Sequence, residues 1–291
     1  MHWLPLTLLS ALFLASADAA TKAWLGGYSA REMLLVRFTL AGLLISPLLL
    51  LQTSLPPAAP EFWGWLGALL PLEILAMLLY MRAIRDHPLA LTLPYLAFTP
   101  VFVVLTGFLL LGETVNPRGL AGILLVVFGA WLLNSGHARL REWRSWAAPL
   151  SAVLYNPGSR QMLAVAALYS LTSVMGKGAI QYMPPAQFGP FYTLVLGLAA
   201  PLLVGATRPA SLAALWRRPW ANLLVAAGVG GMMVTHFLAI QQVEVAYMIA
   251  VKRTSLLFGI LYGALLFHET GLRRNLFAGG LMLGGVVLVS L

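Results

Sequence analysis

Displaced by 156 residues, this sequence falls on itself. Phe102 meets Phe258, Gly107 meets Gly263, Glu113-Thr114 meets Glu269-Thr270, Arg118 meets Arg274 and Gly129 meets Gly285. Upstream, Ala83-Ile84 meets Ala239-Ile240, and a displacement of 155 puts Lys22 on Lys177. A register held this constant is the mark of a duplication. It divides the chain into residues 1–135, a connection at 136–160, and residues 161–291.

Composition says what kind of unit was duplicated. Of 291 residues, 60% are hydrophobic and 9% are charged, where a soluble domain carries roughly 25% charged residues. The apolar runs are continuous and without the alternation of a β-barrel, so they read as membrane helices of about 20 residues each. Ten such runs are expected, from Trp3–Trp24 to Leu276–Leu291. The fold class is therefore all-α, ten transmembrane helices in two five-helix repeats. Five is odd, so the second repeat must be inverted across the bilayer, an architecture that places a solute site at the midplane between the halves. The first run continues through Thr21-Lys22-Ala23-Trp24 and lacks a basic leader, so it reads as a span rather than a cleaved signal.

The chain has no cysteine, which excludes disulfides and thiolate metal ligands. Its net charge of +9 lies mostly in short loops, where it signals topology rather than nucleic-acid binding. One side collects Lys22, Arg31, Arg82, Arg85, Arg139, Arg141, Arg144, Arg160, Arg208, Arg217, Arg218, Arg273 and Arg274. The other receives little beyond Arg118 and Lys177. That bias places both termini outside, periplasmic in a Gram-negative host. Within the connection, Leu140, Trp143, Trp146 and Leu150 recur at helical spacing among arginines, as in an amphipathic segment lying at the membrane surface. Trp3, Trp24, Trp63, Trp65, Trp131, Trp216 and Trp220 fall near span ends, the pattern of an interfacial belt.

Few ionisable residues remain inside the spans: Asp18, Arg37, Glu73, His236, Lys252 and Arg253. Arg37 and Lys177 lie near enough to helix ends to snorkel. Lys252 sits roughly 12 Å inside its helix end, and Glu73 roughly 16 Å from the same face, so the two are nearly level. Two readings stand. Glu73 pairs with one cation as a buried structural bridge, or Lys252 and Arg253 line a cavity and meet an anionic group on a solute. Glu73 has a further reading as a proton-coupling carboxyl, with Asp18 a less favoured partner for the cations. His236, the repeat mate of Tyr80, reads as hydrogen-bonded packing. Tyr95, Phe98 and Thr99, with Thr254 and Ser255, are candidates for aromatic walls and hydroxyl donors. His268-Glu269-Thr270-Gly271 lacks the second histidine of a zinc-protease motif, since position 272 is Leu. Gly280 and Gly284 form a GxxxG, a candidate helix-packing or homodimer face. No Walker A loop is present, no cofactor is implied, and no clustered catalytic set suggests an enzyme.

Thr99-Pro100, then GFLLLGET and RGLAGILLVVFGAWLL, repeated as GALLFHET and RNLFAGGLMLGGVVLVSL, resemble the EamA-type drug/metabolite transporter superfamily over essentially the whole chain. The resemblance implies a ten-helix carrier of small solutes working by alternating access, with export favoured over import. The adjacent Lys252-Arg253 is similar to the Lys-Arg pair of the phosphate-translocator branch, which implies an anionic substrate group such as phosphate or carboxylate. That branch has a further basic residue four positions before the fourth-helix proline, where this chain has Leu96. A lipid or lipid-linked headgroup flippase is the alternative.

Overall fold

The computed structural model describes residues 3–51, 59–87, 95–134, 156–267 and 272–291. Among these every regular element is helical. In chain order they are α1 (Trp3–Trp24), α2 (Ala30–Leu51), α3 (Pro60–Asp86), α4 (Thr99–Leu111), α5 (Pro117–Asn134), α6 (Pro157–Ala179), α7 (Pro185–Thr207), α8 (Pro219–Ile240), α9 (Val245–Lys252), α10 (Ser255–Phe267) and α11 (Leu272–Ser290). Seven segments are long and apolar enough to cross a membrane, the last of them running through α9 into α10 at Val245–Gly263. The other three apolar runs are shorter helices, Thr99–Leu111, Pro117–Leu132 and Phe277–Ser290. The chain is a multi-pass membrane protein.

Local chemistry marks the helix starts. Pro stands in the first turn of α3, α4, α6, α7 and α8, where its missing N–H leaves no donor orphaned. Ser29 and Glu32 close a capping box at α2. The Asn156 side chain accepts from the Gly158 and Ser159 N–H groups to start α6. The proposed amphipathic stretch at 140–150 and the HETG at 268–271 lie outside the described residues.

Helices of the two halves pack on each other rather than apart. α1 lies on α8, α3 on α6, α1 on α10 and α4 on α6. α5 and α11 make backbone contact. A Cβ at Gly122 would come 2.8 Å from the Gly285 carbonyl oxygen, and one at Gly129 2.8 Å from that of Ala278. Position rises along α5 as it falls along α11, so the two helices run antiparallel. Gly122 and Ala278, like Gly129 and Gly285, are 156 residues apart, so each contact maps onto the other. The GxxxG takes no such role: a Cβ at Gly280 would meet open space, and one at Gly284 only ordinary contact with Leu125. Gly285→Ala is therefore expected to cost about 1–3 kcal/mol by overpacking, while Gly280→Ala stays within about 0.5 kcal/mol of wild type. Thermal unfolding in detergent reads both. Trp3 and Trp131 are buried within the protein, whereas Trp24, Trp63, Trp216 and Trp220 are exposed.

α4 and the α9–α10 pair also match. Each is broken by two residues in turn conformation, Ala97-Phe98 and Arg253-Thr254, again 156 residues apart. The Arg253 and Thr254 N–H groups bond back three residues, to Ala250 (3.1 Å) and Val251 (3.0 Å), tightening the chain across the break.

Candidate functional site

A cavity of about 650 Å³ lies among the halves, walled by α1, α2, α3, α6, α7, α8 and both sides of the α9–α10 break. Its wall is built from repeat-related positions. Asp18 and Ser173, like Arg37 and Tyr192, are related by the displacement that carries Lys22 to Lys177; Glu73 and Val229, Tyr80 and His236, and Leu96 and Lys252 are 156 apart. Repeat-related positions thus carry different chemistry, and in four of the five pairs one member is charged and the other is not.

Arg37 does not snorkel. It is 1% exposed and ion-paired with Asp18, and its guanidinium also donates to Thr21 Oγ1 at 3.3 Å. Tyr80 donates to the other Asp18 oxygen at 3.4 Å. The physical cause is local: Val36–Leu40 widen into a π-helical turn, the type of insertion that re-aims side chains at functional sites. Close backbone approach of α2 to α7, where a Cβ at Gly42 would come 2.5 Å from the Thr193 carbonyl oxygen, holds that turn inward. Asp18 is thereby engaged by Arg37; its side chain remains 35% exposed, so water reaches this depth of the cavity.

Lys177 does not snorkel either. Its ammonium donates to Glu113 Oε1 at 2.5 Å and to the Val243 carbonyl at 2.6 Å. The second Glu113 oxygen accepts the Val245 N–H at 2.8 Å, capping α9 from the loop after α4. Glu113 thus caps a helix of the other half. One carboxylate joins three elements at the end of the protein opposite Lys22.

Lys252 and Arg253 both line the cavity. Lys252 Nζ stands 3.0 Å from His236 Nδ1 and 3.2 Å from Met232 Sδ. His236 is thus hydrogen-bonded, with Lys252 as the partner, while its ring lies edge-on to Phe237. Arg253 is 7% exposed, its Nε is buried without a partner, and its side chain forms no hydrogen bond or ion pair among the described residues. Glu73, 8% exposed on α3, also faces the cavity. No ion pair within 4.0 Å joins it to either cation, and Thr172 of α6 lines the same cavity. The first of the two readings, a Glu73–cation bridge, is not found among the described residues.

The hydroxyl and aromatic candidates divide. Ser255 lines the cavity, and Leu96 takes the wall position beside Tyr95. Tyr95, Phe98, Thr99 and Thr254 lie behind the wall; the Thr99 hydroxyl is spent on the Leu96 carbonyl at 2.7 Å, and Thr254 Oγ1 is buried without a partner. Sequence reasoning missed Tyr80, Tyr169, Thr172, Tyr192 and Tyr262, all in the wall. At one end the lining reaches Lys22, Leu25, Gly26, Ile84 and Arg85, the ends of α1 and α3.

The comparisons agree with this architecture. The profile of the EamA-like transporter family matches residues 1–135 and 157–291. A "Probable 4-amino-4-deoxy-L-arabinose-phosphoundecaprenol flippase subunit ArnE" of Enterobacter sp. (strain 638) is 32% identical over 83 residues, 28% of this chain and 78% of that protein. The protein of the same name from Erwinia tasmaniensis is 32% identical over 71 residues, 24% of this chain and 66% of its own length. A crystal structure superposes with a TM-score of 0.74 at 19% identity, covering 99% of this chain and 98% of that one, which shows the fold alone.

Proposed function

The chain belongs to the EamA-like transporter family, and on that premise we propose that it is a secondary carrier moving a small polar solute with an anionic group. Family membership places it among membrane transporters rather than enzymes. The observation that carries the anion is Arg253, a buried guanidinium on the cavity with no partner among the described residues, beside Lys252 at a helix break. An unpaired charge at membrane depth is costly and marks a solute path. A guanidinium offers bidentate bonds to carboxylate or phosphate, and lysine adds a point charge. The volume is that of a small-molecule site.

We take the fold as ten spans in two inverted halves, the three shorter helices and the joined α9–α10 included. The antiparallel, self-mapping α5–α11 contact and the paired helix breaks support it. Alternating access then follows from rocking the halves about the cavity. The cavity reaches the helix ends carrying Lys22 and Arg85, the basic side, while the Lys177–Glu113 bridge closes the other. Basic loops face the cytoplasm, so the site loads from inside, which favours export, with both termini outside the cell membrane. A C-terminal reporter active only in the cytoplasm should stay silent; activity would reverse the orientation.

A second reading rests on one observation, the similarity to subunits named as flippases of a lipid-linked amino sugar phosphate. There the same cations would hold a lipid-linked headgroup. Counterflow in proteoliposomes tests the first reading: preloaded metabolites bearing a carboxylate or phosphate are expected to exchange, and analogues of equal size with that group esterified or removed are not. Exchange only of solutes without an anionic group would refute it.

A further inference from the structure

Glu73 is the second ionisable group on the cavity with no ion pair within 4.0 Å among the described residues. It sits on α3 two residues after Pro71, inside the helix, and α3 packs on α6 and α7. Tyr169 of α6 and Tyr192 of α7 stand close enough for its charge to act on their hydroxyls. Tyr192 Oη is buried without a hydrogen-bond partner. Its ring is fixed by stacking on Phe188 (5.6 Å between centroids) and by the edge of Phe237 at 5.7 Å. Tyr169 is fixed against Tyr80, ring to ring at 6.2 Å, and reaches Met77 Sδ at 3.9 Å. Glu73, Tyr169, Tyr192 and Phe237 all line the cavity.

A carboxylate set among aromatic rings is complementary to an ammonium ion, which gains charge–charge and cation–π attraction together. We infer that Glu73, Tyr169 and Tyr192 form an ammonium subsite, so that the solute is a zwitterion whose amine lies at Glu73 and whose acidic group lies at Arg253 and Lys252. The inference rests on the anionic-group reading above and adds the second charge. It also explains why Glu73 stays unpaired with two cations on the same cavity: the bound solute separates and neutralises the opposed charges. The zwitterion can be a free metabolite or the headgroup of a lipid, since the chemistry at both ends is the same.

The test uses purified full-length protein in nanodiscs and three matched series. One is L-leucine, N-acetyl-L-leucine and L-leucine methyl ester. The second is phosphoethanolamine, its N-acetyl form and ethanolamine. The third is lysophosphatidylethanolamine and its N-acetyl form. The zwitterion of at least one series is expected to bind at least about tenfold more tightly than its N-acetyl form, the value of one charge-assisted contact. Glu73→Gln should shrink that preference to within about twofold. Binding confined to the lysolipid identifies a headgroup as the source; binding of a soluble member identifies a free metabolite. N-acetyl forms that bind as tightly as the amines sink the ammonium subsite and leave the anion site standing. The ester or ethanolamine binding best, or no member binding, sinks both. A Glu73→Gln protein that keeps its amine preference but loses uptake driven by a proton gradient makes Glu73 a proton site and overturns the inference.

Discussion

Arg253→Gln is expected to lower solute flux by about 100-fold, roughly 2.7 kcal/mol, the loss of a bidentate charged contact in a desolvated site. The melting temperature is expected to stay within about 2 °C of wild type or to rise. The sign of the stability change is what separates function from structure. A structural arginine leaves partners orphaned when removed and costs several kcal/mol. Arg253 forms no side-chain hydrogen bond or ion pair among the described residues, so its removal breaks no such bond and takes away a buried charge. A group that destabilises the protein while serving its solute is the usual trade at a binding site. Lys252→Met should differ. It also lowers flux, but it strips His236 of its bond and so also lowers the melting temperature. Flux assays in proteoliposomes and thermal unfolding of the same preparations check the pair. A large fall in melting temperature for Arg253→Gln would make that residue structural.

Arg37→Met is expected to have the opposite profile, a stability loss of about 1–3 kcal/mol, because it removes the ion partner of Asp18, which keeps only the Tyr80 hydroxyl and cavity water. Arg37 is 1% exposed and bound to both Asp18 and Thr21. Replacing both partners, Asp18→Leu with Arg37→Met, should recover most of that loss, since an apolar pair of similar volume is often as stable as a buried ion pair. Thermal unfolding of the two single variants and the double closes the cycle. Additive losses would mean that the two residues act independently. A double variant that is stable yet inactive would show that the pair also shapes the cavity it lines.

These two arginines mark how far the sequence was legible. Helix positions, the duplication and the depth of Lys252, Arg253 and Glu73 follow from span length and rise per residue, and the cavity holds all three. Arg37 was misplaced because depth along a helix says nothing about which way a side chain points around it. In a uniformly apolar span no polar face fixes the azimuth, and here a π-turn resets it. The Glu73–cation bridge failed for the same reason: residues level in the membrane can stand on different walls of one cavity. Tyr169 and Tyr192 carried no periodic signal, being tyrosines in apolar helices. The duplication could have found them. Tyr192 is the mate of Arg37, and Ser173 of Asp18, under the displacement that relates Lys22 to Lys177, and all four lie in the cavity wall. The Lys177–Glu113 bridge needed the fold itself, since it joins a helix end to a loop of the other half and caps a third element.

The central claim is that the unpartnered guanidinium at the α9–α10 break holds the solute's acidic group. Its most direct measurement is equilibrium binding of the best exchanged anion to purified wild type and Arg253→Gln protein, with apo-state melting temperatures recorded alongside. The account predicts a dissociation constant weakened by about 100-fold at an unchanged or raised apo melting temperature. An unchanged dissociation constant in a folded variant would contradict it.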